Sequence, residues 1–172
     1  MPTEFIATYR VGLDHSAETK TCIQPTPITP RCTMNEFVPL SHEHHLLNVT
    51  AIYPDGITTT LFPFVPEDII KPDPPVIFRV STVSENELEV QWFAPRSWPY
   101  PEDIPLKYQL RYKPCKSKDF RQGDPTEATT LRIKATLRKR TYCIQVNAQH
   151  HLGYGKPSEW SPTTVFPVTP FK

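Results

Sequence analysis

Glycine is scarce in this chain, 5 of 172 residues, and no phosphate loop or nucleophile elbow is among the motifs it carries. Charge of one sign is missing too: 19 Lys and Arg stand against 18 Asp and Glu, a formal net charge of +1. That balance leaves no electrostatic footprint for nucleic acid or an anionic membrane surface. No apolar run approaches the roughly 20 residues of a transmembrane helix. The four cysteines show no paired spacing of the zinc type. Scattered Ser, His and Asp residues make no catalytic constellation, so the expectation is a binding protein, not an enzyme, with no cofactor and no metal. The opening Met-Pro-Thr-Glu-Phe lacks the charged and apolar regions of a signal peptide. If the protein is secreted, the start of its gene product lies outside this sequence.

What the chain has in quantity is proline, 21 residues, with 38% hydrophobic content. Proline fixes φ and removes a donor, which suits edge strands, turns and stiff linkers rather than long helices. Residues 71–168 alternate in the period of half-buried strands. Leu88, Val90 and Trp92 interleave with Glu87, Glu89 and Gln91. Leu106, Tyr108, Leu110 and Tyr112 follow the same pattern, as do Leu131, Ile133, Ala135 and Leu137, then Tyr142, Ile144, Val146 and Ala148. No segment holds a 3.6-residue apolar period, so the fold class is all-β and this half is a β-sandwich. Upstream, 5–11, 46–52 and 58–64 read as strands, few for a sandwich of about 100 residues. The expected organisation is a first domain over 1–65 lacking its opening strands, a proline-rich hinge over 66–75, and a second domain over 76–168. The first should be the less stable half, because its core is incomplete and an edge is open.

Two cysteines submit to the alternation. Tyr108, Leu110 and Tyr112 point inward, so Cys115 faces outward; Tyr142, Ile144 and Val146 point inward, so Cys143 does too. If these two strands are antiparallel neighbours in the sandwich, a cross-strand bridge is geometrically open to them. The alternative is two separate surface thiols. Cys22 and Cys32 enclose nine residues with three prolines, a closed loop rather than a metal site. The histidines of His42-Glu43-His44-His45 and His150-His151 sit in expected loops without a carboxylate framework, against a metal role. Asn48-Val49-Thr50 is the only sequon; with Leu47, Val49 and Ala51 inward, Asn48 points out and is a candidate glycan acceptor.

Residues 157–161 read Pro157-Ser158-Glu159-Trp160-Ser161, which resembles the Trp-Ser-x-Trp-Ser signature of class I cytokine receptors with Pro157 in the first Trp position. It falls in the last-strand region, downstream of a proline-rich hinge and a Trp92-containing strand. Phe-Ile-Ala-Thr-Tyr-Arg (5–10), Leu-Asn-Val-Thr-Ala (47–51), Ile-Ile-Lys-Pro-Asp-Pro-Pro (69–75), Ser-Trp-Pro (97–99), Leu-Lys-Tyr (106–108), Arg-Tyr-Lys (111–113) and Glu-Ala-Thr (127–129) look like the interleukin-27 beta family, Epstein–Barr virus-induced soluble relatives of these receptors.

The resemblance implies two tandem fibronectin type III-like domains in a secreted, disulfide-bonded protein. Such a protein pairs with a four-helix-bundle cytokine alpha subunit, of the interleukin-27 or interleukin-12 alpha type, and the heterodimer engages signalling receptors. By resemblance Cys22 and Cys32 form a conserved disulfide of the first domain, and Trp160 enters a cation–π ladder. Arg111 and Lys113 are the only candidate cations for that ladder, whose role is structural. Tyr142 resembles the tyrosine corner, a place filled by His45 in the first domain. The partner is expected at the elbow of the two domains, on residues 37–41, 97–105 and 150–154. The candidate contacts are Phe37, Val38, Leu40, Trp98, Tyr100, His151, Leu152 and Tyr154, because exposed loop apolar groups are the usual interface anchors. For Trp98 the competing expectation is that it folds back on its own sandwich. The competing function is a fibronectin III adhesion or matrix module.

Overall fold

The computed structural model describes all residues except 15, 39, 99–101, 136–139 and 168–172. The chain divides into two compact units, Met1–Ile70 and Lys71–Lys172. Each is built from antiparallel strands, and the first ends in a helical turn.

The first unit is one four-stranded sheet. Its strands are β1 (Glu4–Val11), β2 (Lys20–Thr21), β3 (His45–Tyr53) and β4 (Gly56–Phe64), in the order β2-β1-β3-β4. β3 and β4 form a hairpin through Pro54 and Asp55, and their pairing runs without interruption from Tyr53↔Gly56 to His45↔Phe64. One face of the sheet carries Ala7 and Tyr9 of β1 and Leu47 and Val49 of β3, covered by Cys22, Cys32 and Met34. The loop bounded by the Cys22–Cys32 disulfide supplies that cover (Cα–Cα 5.4 Å). Cover is partial: Phe5, Ala7, Met34, Leu47 and Val49 still line an open groove of about 350 Å³.

The second unit is a complete sandwich. Its strands are β5 (Val76–Ser84), β6 (Glu87–Phe93), β7 (Leu106–Pro114), β8 (Arg121–Gln122), β9 (Thr130–Lys134), β10 (Thr141–His150) and β11 (Thr164–Pro167). β11-β10-β7-β8 forms one sheet and β5-β6-β9 the other. Leu88, Val90 and Trp92 of β6 meet Tyr108, Leu110 and Tyr112 of β7 and Ile144, Val146 and Ala148 of β10, all buried. The Trp92 and Tyr108 rings meet edge to face at 5.5 Å, and the Tyr112 hydroxyl donates to the Lys134 carbonyl across the two sheets (3.0 Å). Tyr142, the tyrosine-corner candidate, is buried at the start of β10. β9 stops at Lys134; Ala135 is buried just beyond it, and Leu137 lies outside the described residues.

The 66–75 stretch is not one uniform linker. Pro66–Ile69 is a helical turn, α1, opened by a proline whose missing N–H costs nothing at a first helical position. Pro66 is buried in the first unit, and the Ile70 N–H donates to its carbonyl (3.1 Å). From Lys71 onward the residues belong to the second unit: Pro72 and Pro75 are buried there, Ser97 donates to Asp73, and Lys71 meets Glu159 at 2.7 Å. The prolines therefore act as packing groups on their own units.

Candidate functional site

The Pro157–Ser161 motif completes β10 where no regular strand pairs with it. Ser158 donates its N–H to the Ala148 carbonyl (2.7 Å), and its Oγ accepts the Ala148 N–H (2.9 Å). Ser161 repeats the pattern on Val146, at 2.8 and 3.1 Å. Each serine thus satisfies both backbone groups of one β10 residue, so neither is left buried and unpaired. The doublet spacing turns Trp160 onto the outer face. There the Arg111 guanidinium lies 4.0 Å from the Trp160 ring centre and 4.4 Å from that of Phe120. Lys113 Nζ covers the same Phe120 ring at 4.6 Å. Arg111 Nε also donates to Gln145 Oε1 (2.9 Å), and Gln145 Nε2 donates to the Ser161 carbonyl (2.9 Å). Desolvation between the rings lowers the Arg111 pKa, yet a guanidinium remains charged at neutral pH. The sequence named both cations but missed Phe120, an aromatic in the charged connection Lys116-Ser117-Lys118-Asp119-Phe120-Arg121.

On the same outer face, at the end of β7 and the start of β10, Cys115 and Cys143 are bridged (Cα–Cα 5.1 Å). The register explains it: Cys143 pairs with Lys113 and Tyr142 with Pro114, while the Cys115 N–H donates to the Thr141 carbonyl (2.8 Å). The alternation argument from sequence rests on the same strand adjacency.

The loop after β10 presents the most exposed of the candidate contacts in the second unit. Leu152 is 65% exposed and Tyr154 37%. Gly153 has φ 87, a conformation that favours glycine, and its N–H closes the turn on the His150 carbonyl (2.8 Å). His150, expected in the loop, is instead the buried last residue of β10. Alternation continues one residue further than anticipated, so its ring points into the sandwich end. Its Nδ1 accepts the Leu152 N–H (3.2 Å), and the rings of His151 and Tyr154 lie at 4.7 and 5.2 Å. Burial first, then the neighbouring His151 and Lys107, hold its pKa below the usual histidine value.

Trp98 is not a solvent-facing anchor. It is buried, with its indole N–H donating to the Ile104 carbonyl (2.7 Å), so it caps its own sandwich. An indole offers large apolar area and one donor, and the 97–105 loop supplies a home for both. Tyr100 lies outside the described residues. In the first unit Val38 is exposed at 62%, while Leu40 is half-buried. Phe37 packs against His45 and Phe64, at ring distances of 5.8 and 6.3 Å. His45 is likewise no loop residue: it opens β3, buried, with Nδ1 2.9 Å from the Glu43 carbonyl. His42 instead sits beside Glu67 Oε2 of α1 (2.6 Å), so His42 and His45 have separate surroundings. Among the described residues no group of three His, Cys, Asp or Glu is placed to hold a metal.

Asn48 faces away from the Cys22 side of the sheet, between Thr8 and Leu61. It is half-buried there, and its Oδ1 has no hydrogen-bond partner among the described residues. No described helix is long and apolar enough to cross a membrane.

Comparison with known proteins accounts for both units. The family described as IL27B N-terminal FN3 domain matches residues 1–64, and the fibronectin type III domain family matches residues 73–164. Interleukin-27 subunit beta of Mus musculus is 45% identical over 92% of this chain and 69% of its own length. The Homo sapiens protein of the same name is 42% identical over 93% of this chain and 70% of its own. The ciliary neurotrophic factor receptor subunit alpha of Canis lupus familiaris is 30% identical over 93% of this chain and 43% of its own. The chain therefore belongs to the interleukin-27 subunit beta family, non-enzymatic cytokine receptor-like proteins built from tandem fibronectin type III domains.

Proposed function

We propose that this chain is the soluble, secreted receptor-like half of a heterodimeric cytokine. Its partner is a four-helix-bundle alpha subunit of the interleukin-27 or interleukin-12 alpha type, giving an interleukin-27- or interleukin-35-like pair that engages signalling cytokine receptors on immune cells. The observation that carries this reading is the pair Leu152 and Tyr154, which present 65% and 37% of their surface on a turn held by His150 and Gly153. Nothing in the sandwich requires their exposure, and preformed apolar groups of this kind lose little freedom on binding. Val38, Leu40 and Phe37 of the first unit and His151 of the second are further contacts in this reading. Trp98 has a supporting role, holding its loop. Secretion gives Asn48 access to glycosylation.

The test is co-expression with each alpha subunit and capture through this chain. Replacing Leu152 and Tyr154 together by Ala is expected to weaken capture by about 10- to 100-fold, as for hot-spot residues. The melting temperature should fall only modestly, because Leu152 is largely exposed and Tyr154 gives up mainly its ring contact with His150. Capture that survives the double substitution would discard this site and favour the adhesion-module reading.

A further inference from the structure

The molecule has six sheet edges among its described residues, and five carry devices that discourage pairing with another strand. β2 and β8 are two residues long and carry Lys20 and Arg121. β11 has four residues and ends in Pro167. β9 bears Arg132 and Lys134, and β5 bears Arg79 and two register irregularities. β4 has almost none of these. It is nine residues long, Gly-Ile-Thr-Thr-Thr-Leu-Phe-Pro-Phe, without a charged side chain or a bulge. Every residue from Gly56 to Pro63 is exposed.

The direction of its free groups follows from Pro63. Having no N–H, it must occupy a position whose nitrogen faces away from β3. Alternation then turns the backbone groups of Ile57, Thr59 and Leu61 outward as well. Around Thr59 the sequence is a chemical palindrome, Ile57-Thr58-Thr59-Thr60-Leu61.

We infer that β4 is a self-association edge, and that its occupant is β4 of a second copy of this chain, antiparallel about a two-fold axis at Thr59. In that register Thr59 faces Thr59 of the second copy, and Ile57 faces Leu61, forming about six backbone hydrogen bonds. Thr58 meets Thr60 and Phe62 meets Gly56, pairs that suit β-branched and aromatic side chains. Two four-stranded sheets would join into one. Only the residue on the two-fold axis faces its own copy, so a charge at position 59 would repel itself, and β4 carries an uncharged threonine there. An unrelated partner strand would gain nothing from the palindrome. This surface is distinct from the Leu152 and Tyr154 loop, and its test does not involve an alpha subunit.

Sedimentation of the full chain should show mass rising from 19.8 kDa toward twice that value as concentration increases to about 100 µM. Thr59→Lys and Thr59→Asp, each alone, are expected to weaken dimerisation by at least about 100-fold through like-charge contact. A one-to-one mixture of the two should restore it, which also shows that both variants fold. Thr59→Cys should cross-link to itself on mild oxidation, since facing residues of such a pair lie about 5.5 Å apart. Thr60→Cys, whose counterpart is Thr58, should not. A parent that stays monomeric overturns the inference, as do charged variants that dimerise like the parent, a mixture that fails to pair, or equal cross-linking at both positions.

Discussion

The two units share strand patterning yet differ in what they bury. Among the described residues, prolines aside, 18 hydrophobic side chains are buried, of which three (Ala7, Tyr9 and Cys22) lie in the first unit and the remainder in the second. A sheet alternates whether or not a second layer covers it, and only the second unit supplies that layer from its own strands. In the first, the disulfide loop stands in for a sheet, and part of the apolar face remains a groove. Crosslinking therefore has different weight in the two units, although their disulfides look alike.

The largest effect should expose that difference. By the loop-entropy estimate, the Cys22–Cys32 bridge, spanning 10 positions, contributes about 2.7 kcal/mol, and the Cys115–Cys143 bridge, spanning 28, about 3.6 kcal/mol. Replacing Cys22 and Cys32 by Ser is nevertheless expected to unfold the first unit, because so little core remains. Replacing Cys115 and Cys143 should leave the sandwich folded with a lower melting temperature. Hydrogen exchange resolved by peptide separates the outcomes; protection retained across β1 and β3 in the first variant would break the comparison.

A smaller effect concerns the aromatic stack of the second unit. Arg111→Ala should cost about 1–2 kcal/mol, from two ring contacts and the Gln145 hydrogen bond. Phe120→Leu, which keeps apolar bulk but removes one ring face, should cost less. Urea unfolding of the second unit reads both. Equal losses would mean that the stack acts by packing alone.

The smallest effect is a pH dependence set by His150 at the end of β10. Burial lowers the pKa of His150 in the folded chain, so the unfolded chain takes up its proton first as pH falls. Its contribution is intact above the usual histidine pKa and declines as pH falls below it, until the folded ring also protonates. Protonation would place a donor against the Leu152 N–H. The melting temperature of the second unit should therefore drop modestly between about pH 7.5 and pH 5, and less so in His150→Phe. An identical drop in that variant would assign the titration elsewhere.

Much of this architecture was legible in local pattern. Leu88, Val90 and Trp92, or Ile144, Val146 and Ala148, announce a buried face because side chains alternate along any strand. The Cys115–Cys143 pairing needed one further step, the adjacency of two strands with known inward positions. The candidate binding residues were harder. Trp98 and Tyr154 are both aromatic, both in proline- or glycine-rich loops, and nothing local tells them apart.

The sequence by itself determined the strands that alternate clearly, their inward faces and the prolines that break them, since these depend on neighbours one or two residues away. β5 and the short edge strands β2, β8 and β11 were not legible in this way. Only tertiary structure decided which aromatic groups became core and which remained surface. Trp98 found a carbonyl and a sandwich end within reach, whereas Leu152 and Tyr154 were turned outward by a buried His150 and a left-handed Gly153. It also set Phe120 beneath Arg111 and left β4 uncovered. Those outcomes rest on partners distant in the chain, which periodicity cannot specify.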